Sequence, residues 1–320
     1  MSKSKPFQPT LNGIKTAAKR LENITVKTPL LAYRWYDENP QIYLKPENLQ
    51  PIGSYKLRGV YNHVAKLTQE QRNKGIATAS TGNMAQAVGY VAKMFNIPAR
   101  VIVIGETVSE YKIMLMKRYG VDVERVPIDK VLEYIADPPF QHTFIHPLFE
   151  YGLTEGYGTI TLEILEQKPD IETIFVPVGA GLLSLGVAYA KNLLNPDVKV
   201  IGVQTENSPH YYNSFKAGEI VDYKYLPTIC DGIAWGQSDL QEEPTKLIME
   251  TLDDMMIVSE DKVKDAVKYL ALENNLVTEG AGAIAVAAAL DVDMSERGKC
   301  ACILSGGSIA PEKLAQYILK

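Results

Sequence analysis

The chain has 320 residues, 46% hydrophobic and 22% charged, with 38 acidic against 33 basic side chains and a formal net charge of −5. Such proportions exclude a fibrous or globally disordered chain, and without an excess of positive charge neither nucleic acid nor an anionic membrane is an expected partner. Cys230, Cys300 and Cys302 are too few for a disulfide framework, and the length implies about two domains.

Met1 to Pro9 is polar, without the apolar core of a signal peptide, and no apolar run reaches the length of a membrane span. Cytoplasmic residence is the expectation. In chain order, Ile42 to Leu44 reads as a short strand, and Ser54 as the cap of a helix from Tyr55 toward Leu67. Thr68 and Gln71 have capping-box spacing for one further turn. Ile76 to Ala79 is a short strand, Asn83 to Phe95 a helix, and Val101 to Ile104 a buried strand. A helix from about Ser109 to Tyr119 follows, then Val121 to Val126, a strand nearer a sheet edge. The Asp137-Pro138-Pro139 break and the loop from His142 to Pro147 are expected to carry the chain between domains.

A second series begins with a helix near Glu155 to Glu166 and continues with strand Thr173 to Val178, helix Leu183 to Leu194 and strand Lys199 to Val203. Pro227 to Pro244 reads as irregular. Ser259 caps a helix to Asn275, an Ala-rich packed helix follows, and Ala301 to Leu304 is the last strand before a helix from Pro311 to Ile318. Cys300 and Cys302 are expected to face opposite sides of that strand. No internal repeat or low-complexity linker interrupts the pattern. Strand and helix alternation implies an α/β protein of two lobes, each an open, twisted, mostly parallel sheet with flanking helices.

Ligands of open sheets collect outside the carboxyl ends of strands. Four polar or glycine-rich segments lie there: Gly53 to Lys56, Ser80 to Asn83, Gly179 to Ser184, and Ser305 to Ser308. Gly179-Ala180-Gly181-Leu182 ends a strand and opens a helix, where backbone N–H groups can face an anion. A dinucleotide fingerprint would need glycine at position 184, which is serine, although Glu206 ends the next strand as a ribose-binding acid would. Lys56 sits between glycines in a mostly apolar stretch, where desolvation favours a neutral amine able to act as nucleophile or base.

Lys45-Pro46-Glu47-Asn48, Gly53-Ser54-Tyr55-Lys56-Leu57-Arg58-Gly59, Ser80-Thr81-Gly82-Asn83, the Gly179 loop and Ser305-Gly306-Gly307-Ser308 occur in the order seen in pyridoxal-phosphate enzymes of the tryptophan-synthase β fold type. From about residue 10 onward the chain resembles that family's serine/threonine dehydratase and serine racemase group. The resemblance implies that Lys56 holds pyridoxal 5'-phosphate covalently and that Asn83 bonds the pyridine 3' oxygen. Ser54 and Ser80, Thr81, Gly82, Asn83 and Met84 resemble the segments gripping the substrate. Gly179, Ala180, Gly181, Leu182 and Leu183 resemble the phosphate cradle, and Ser305 the partner of the pyridine nitrogen. Glu279 matches a glutamate near the ring, and Gly232 a glycine close to the cofactor. The implied domains are a large cofactor-binding domain from residues 1–50 and 151–320, and a small mobile domain from 51–150. A homodimer is implied, without the regulatory domain of biosynthetic threonine dehydratases.

Several positions depart from the family pattern. Met84 stands where His is usual, and a thioether neither donates a hydrogen bond nor titrates. Ala180 and Leu182 interrupt a loop that is usually four glycines, and Ser308 replaces Asn. Thr81 occupies the position of the racemase acid/base serine. His210 and Tyr212 stand where ligands of the family's divalent-cation site are expected, so no metal is assigned, and Glu206 reads equally as a strand-end acid. His63 is expected at the surface, and His142 and His146 lie in a loop without implied ligand geometry. Met84, Met94, Met114 and Met116 read as core, while Trp35 and Trp235 read as loop or subunit packing.

The reaction implied is α,β-elimination from serine, threonine or a similar β-hydroxy amino acid, giving a 2-keto acid and ammonia, with Lys56 removing the α-proton. The second reading is an amino-acid racemase using Lys56 and Thr81, followed by a lyase for a bulkier substrate. Outside this chemistry stand a nicotinamide-binding oxidoreductase and a catalytically altered homologue.

Overall fold

The computed structural model describes residues 8–34, 38–105, 108, 110–234 and 242–319; Trp35 and Trp235 lie outside them. It contains two sheets. The larger comprises β1 (Leu31–Ala32), β2 (Ile42–Lys45), β7 (Thr173–Pro177), β8 (Lys199–Thr205), β9 (Asp254–Val258) and β10 (Cys300–Ile303), in the order β1-β2-β10-β7-β8-β9. Only the β1–β2 pairing is antiparallel. The smaller sheet comprises β3 (Ile76–Ala79), β4 (Ala99–Ile104), β5 (Asp122–Val126) and β6 (Thr143–Phe144), all parallel, in the order β5-β4-β3-β6. This is the expected architecture of two open, mostly parallel sheets, with the 122–126 strand at an edge.

Both faces of the larger sheet are covered, as a parallel sheet requires. Ile174, Val176, Ala301 and Ile303 point into one core, beneath the Thr154–Gln167 and Leu182–Leu194 helices. Phe175, Cys300 and Cys302 point into the other, with the Gly280–Leu290 helix. That helix is buried from Gly280 through Ala289, and its all-round apolar sequence is that of an interior helix.

The two cysteines therefore share a face, contrary to the expectation. Successive strand side chains alternate, so positions 300 and 302 point the same way and Ala301 the other. All three cysteines are buried and free.

The Lys56–Lys66 helix buries Leu57, Val60 and Val64, an apolar stripe at helical spacing. It starts one residue later than expected: Ser54 Oγ accepts from Lys56 N at 3.3 Å, but Tyr55 occupies the cap position. The Thr68–Gln71 capping box forms reciprocally, at 3.2 and 2.9 Å. The 142–147 segment contains β6, which pairs with β3 rather than running only as a connector. The Leu11–Leu21 helix, the Ile128–Ala136 helix and β9 are additional to the elements read from sequence. Among the methionines, Met84 and Met116 are core, whereas Met94 and Met114 are exposed. His63 is half-buried rather than superficial, with Nδ1 3.3 Å from Glu150. Burial moves its pKa down to about 4.

Candidate active site

The strand orders locate the crevice. In the larger sheet the chain leaves β7 outward through β8 and β9, while β10 lies on the other side of β7. In the smaller sheet β3 has β4 on one side and β6 on the other. Beyond the carboxyl ends of β7, β10 and β3 lie Gly179–Leu183, Ser305–Ser308 and Ser80–Asn83, three of the segments singled out from sequence.

The fourth, Gly53–Lys56, is stitched directly to Ser305–Ser308. Tyr55 N donates to Ser305 O at 3.2 Å, Gly307 N donates to Gly53 O at 2.9 Å, and Ser54 bridges Gly306. Gly53 makes the turn at φ +71. Lys56 follows as the first helical residue, with Nζ 4.7 Å from the Tyr55 ring centroid and 5.9 Å from that of Tyr157. Its charge also acts on Glu279, placing the amine within electrostatic reach of that carboxyl.

Asn83 begins the Asn83–Phe95 helix and donates from Nδ2 to Glu279 Oε1 at 2.7 Å. Glu279 caps the Gly280–Leu290 helix, and its N–H donates to Gly306 O at 3.2 Å. Burial pushes the Glu279 carboxyl up to about 7; Asp231 adds to that, while Asn83, Lys112 and Lys56 oppose it. A Cβ on Gly306 would stand 2.6 Å from Glu279 Oε1 and 2.7 Å from Asn83 Nδ2. One on Gly232 would lie 3.3 Å from Ala281 Cβ and 3.5 Å from Glu279 Oε1. Ser305 Oγ donates to Ala281 O at 3.1 Å.

The Ser80–Asn83 turn is half-buried, and Gly82 N donates to Ser80 Oγ at 3.2 Å. No heavy atom lies within 4 Å of a Cβ built on Gly82, so there is open space over it. Met84 points inward and is 5% exposed, which makes it core beneath the turn. Gly181, at φ +89, caps the Leu182–Leu194 helix, whose first N–H groups have no partner within the helix. Leu182 and Leu183 are buried in the core, so Leu182 does not protrude into the crevice.

Two features were not legible in the sequence. Gln204 Nε2 donates to Val178 O at 3.2 Å, and His210 Nε2 lies 3.3 Å from Gly179 O, so this pair braces the loop from behind. Burial pulls His210 down to about 4 and keeps it neutral. Glu206 accepts from Glu260 N at 3.0 Å, the bond of a strand-end acid at a helix start. Among the described residues no group of three or more His, Cys, Asp or Glu side chains is arranged to hold a metal.

The second feature is ionic. The Arg58 guanidinium, two residues beyond Lys56, bonds Glu47 at 2.7 and 2.9 Å and Glu163 at 2.6 and 2.9 Å. Lys45 Nζ adds bonds to Glu163 at 2.5 Å and Thr28 O at 2.7 Å. Two cations thus face two carboxylates in the interior. They join the start of the Lys56–Lys66 helix to β2 and to the Thr154–Gln167 helix.

A family model described as "Pyridoxal-phosphate dependent enzyme" matches residues 21–306. The chain belongs to the pyridoxal-phosphate dependent enzyme family. Among its relatives, the L-threonine ammonia-lyase of Thermotoga maritima is 39% identical over 318 residues, covering 97% of this chain and 78% of the relative. The catabolic L-threonine dehydratase of Escherichia coli is 33% identical, covering 96% and 95%. The solved structure of maize serine racemase superposes with a TM-score of 0.86 at 28% identity, covering 98% of each chain.

The crevice of this pyridoxal-phosphate dependent enzyme fits that cofactor. A lysine amine stands at its edge, Glu279 and Asn83 close against Gly306 too tightly for any Cβ, and a helix start offers N–H donors to an anionic tail. When bound, pyridoxal phosphate supplies an electron sink for the bonds at an amino acid's α-carbon. No helix among the described residues is long and apolar enough to cross a membrane.

Proposed function

We propose that this chain is an ammonia-lyase acting on a β-hydroxy amino acid of the serine or threonine type. One set of bonds supports the reading: the segment before Lys56 is tied to Ser305–Gly307, Glu279 bonds Gly306 and Asn83 of the Ser80–Asn83 turn, and Gly82 of that turn has open space for a small carboxylate. The full-length similarity to L-threonine ammonia-lyases supports the same chemistry.

In this reading Lys56 would hold the cofactor, and its amine, once free, would take the substrate's α-proton. Ser54 and the N–H and hydroxyl groups of Ser80–Asn83 bind the substrate carboxylate. Asn83, the Gly179–Leu183 loop and Ser305 would hold the bound cofactor, at its 3' oxygen, its phosphate and its ring nitrogen respectively. Ser305 is a neutral hydroxyl and cannot fix a positive charge on that nitrogen as a carboxylate would. Such a partner would suit prompt departure of the β-hydroxyl. Loss of water gives an enamine, which tautomerises and hydrolyses to a 2-keto acid and ammonia. Glu279 and Gly232 border the ring. Residues 51–150, which contain the small sheet, serve as the mobile domain, and 1–50 with 151–320 form the cofactor-binding domain.

A racemase is the second reading, favoured by the superposition on maize serine racemase and by the half-buried Thr81 in the turn after β3. There the Thr81 hydroxyl would be the second proton carrier beside Lys56. A homodimer in the cytoplasm completes the proposal; buried free thiols suit a reducing compartment. Incubation with L- and D-serine, L-threonine and 3-hydroxyaspartate, measuring keto acid and enantiomer together, tests it. Keto acid from L-threonine or L-serine supports the lyase, enantiomer without keto acid supports the racemase, and neither product overturns both.

A further inference from the structure

We propose that the Tyr211 hydroxyl is an additional hydrogen-bond donor to the cofactor phosphate. This rests on the reading that Gly179–Leu183 seat that phosphate. Tyr211 is 1% exposed, and its phenolic oxygen has no hydrogen-bond partner among the described residues. It lies 3.9 Å from the position of a Cβ on Gly181, the residue that turns the loop into the Leu182–Leu194 helix. A hydroxyl shut away from water without a partner is costly, and native interiors seldom leave one unless a ligand or water completes it.

The surroundings suit a donor. Burial raises the Tyr211 pKa, so the phenol keeps its proton and offers it to an anion. Its backbone is fixed to the same loop: Tyr211 N donates to Gln204 Oε1 at 2.9 Å, and Gln204 Nε2 donates to Val178 O at 3.2 Å. The residue is thereby anchored beside the loop, with its ring buried, before any ligand arrives, and preorganised binding requires such an anchor.

The test compares pyridoxal phosphate with pyridoxal, which lacks the phosphate. Cofactor-free wild type, Tyr211→Phe and Gly181→Ala are titrated with each, following the visible band of the lysine-bound cofactor. Phe keeps the ring and removes the O–H. Tyr211→Phe should weaken pyridoxal phosphate roughly tenfold, as expected for a hydrogen bond to a charged group, and leave pyridoxal unchanged. Gly181→Ala places a β-carbon at φ +89 and 2.9 Å from Ile248 Cδ1, and should also erode the preference for the phosphorylated form. If only Gly181→Ala does so, the Tyr211 proposal fails and the phosphate reading stands; if neither does, the phosphate reading fails as well. A 3-fluorotyrosine at position 211 keeps the hydroxyl and guards against misfolding of the Phe variant. Its 19F resonance should move with pyridoxal phosphate and not with pyridoxal; equal movement or none overturns the proposal.

Discussion

The Asn83 carboxamide and the Glu279 carboxyl meet at 2.7 Å, joining the helix after β3 of the small sheet to the helix packed on the large one. Burial, with Asp231 nearby, pushes the Glu279 pKa up to about 7, although the bond from Asn83 favours the charged form and opposes that rise. Its folded value lies above its ordinary value of 4.5, so the stability it contributes is complete below 4.5 and fades as pH rises through 7.

Glu279→Gln removes that dependence. Relative to the variant, cofactor-free wild type should lose about 3 kcal/mol between pH 4.5 and 7, at about 1.4 kcal/mol per pH unit. Urea unfolding of both proteins across that range measures it. His63, His146 and His210, held at about 4 by burial, act oppositely as pH falls below 6.5, but they are common to both proteins and cancel in the difference. A constant difference across the range contradicts the assignment.

Arg58 predicts a large loss. Removing one member of a buried ionic group leaves its partners unpaired, so Arg58→Met should destabilise by about 3–5 kcal/mol. Arg58→Lys keeps the charge but not the two-pronged geometry and should fall between. Chemical denaturation gives the stabilities, and the cofactor band shows whether Lys56, two residues away, is still correctly placed.

These predictions divide by how the sequence encodes them. Lys56, Asn83, the Gly179 loop and Ser305 sit in short segments beside strand ends, where glycine and polar residues are conspicuous against apolar runs, so the crevice and both sheets were legible. The Arg58 group draws on Thr28, Lys45, Glu47 and Glu163, residues distant in the chain whose charges look like ordinary surface polarity until the fold closes. Gln204 and His210 likewise acquire a role only because β8 runs beside β7. The Leu11–Leu21 helix does carry a sequence signal, the Thr10 cap, whose side chain accepts from Gly13 N at 3.0 Å. Cys300 and Cys302 share a face for a simpler reason: two residues are one full strand period.

Gly306→Ala should abolish cofactor binding with little change in secondary structure. The added methyl would stand 2.6 Å from Glu279 Oε1 and 2.7 Å from Asn83 Nδ2, so both side chains must leave their bond. Titration with pyridoxal phosphate beside far-UV circular dichroism checks both halves.

The three thiols, each 0% exposed, should resist an aromatic disulfide reagent in the native protein and react fully after unfolding. Rapid native reaction at Cys300 or Cys302 would contradict their shared placement in the core beneath the Gly280–Leu290 helix.

One amine, that of Lys56, is expected to join this chain to its cofactor. Borohydride reduction of protein loaded with pyridoxal phosphate, followed by proteolysis and mass spectrometry, locates the bond directly. A pyridoxyl group on the peptide containing Lys56, and on no other, is the expected result; a label on a different lysine, or none, would contradict it.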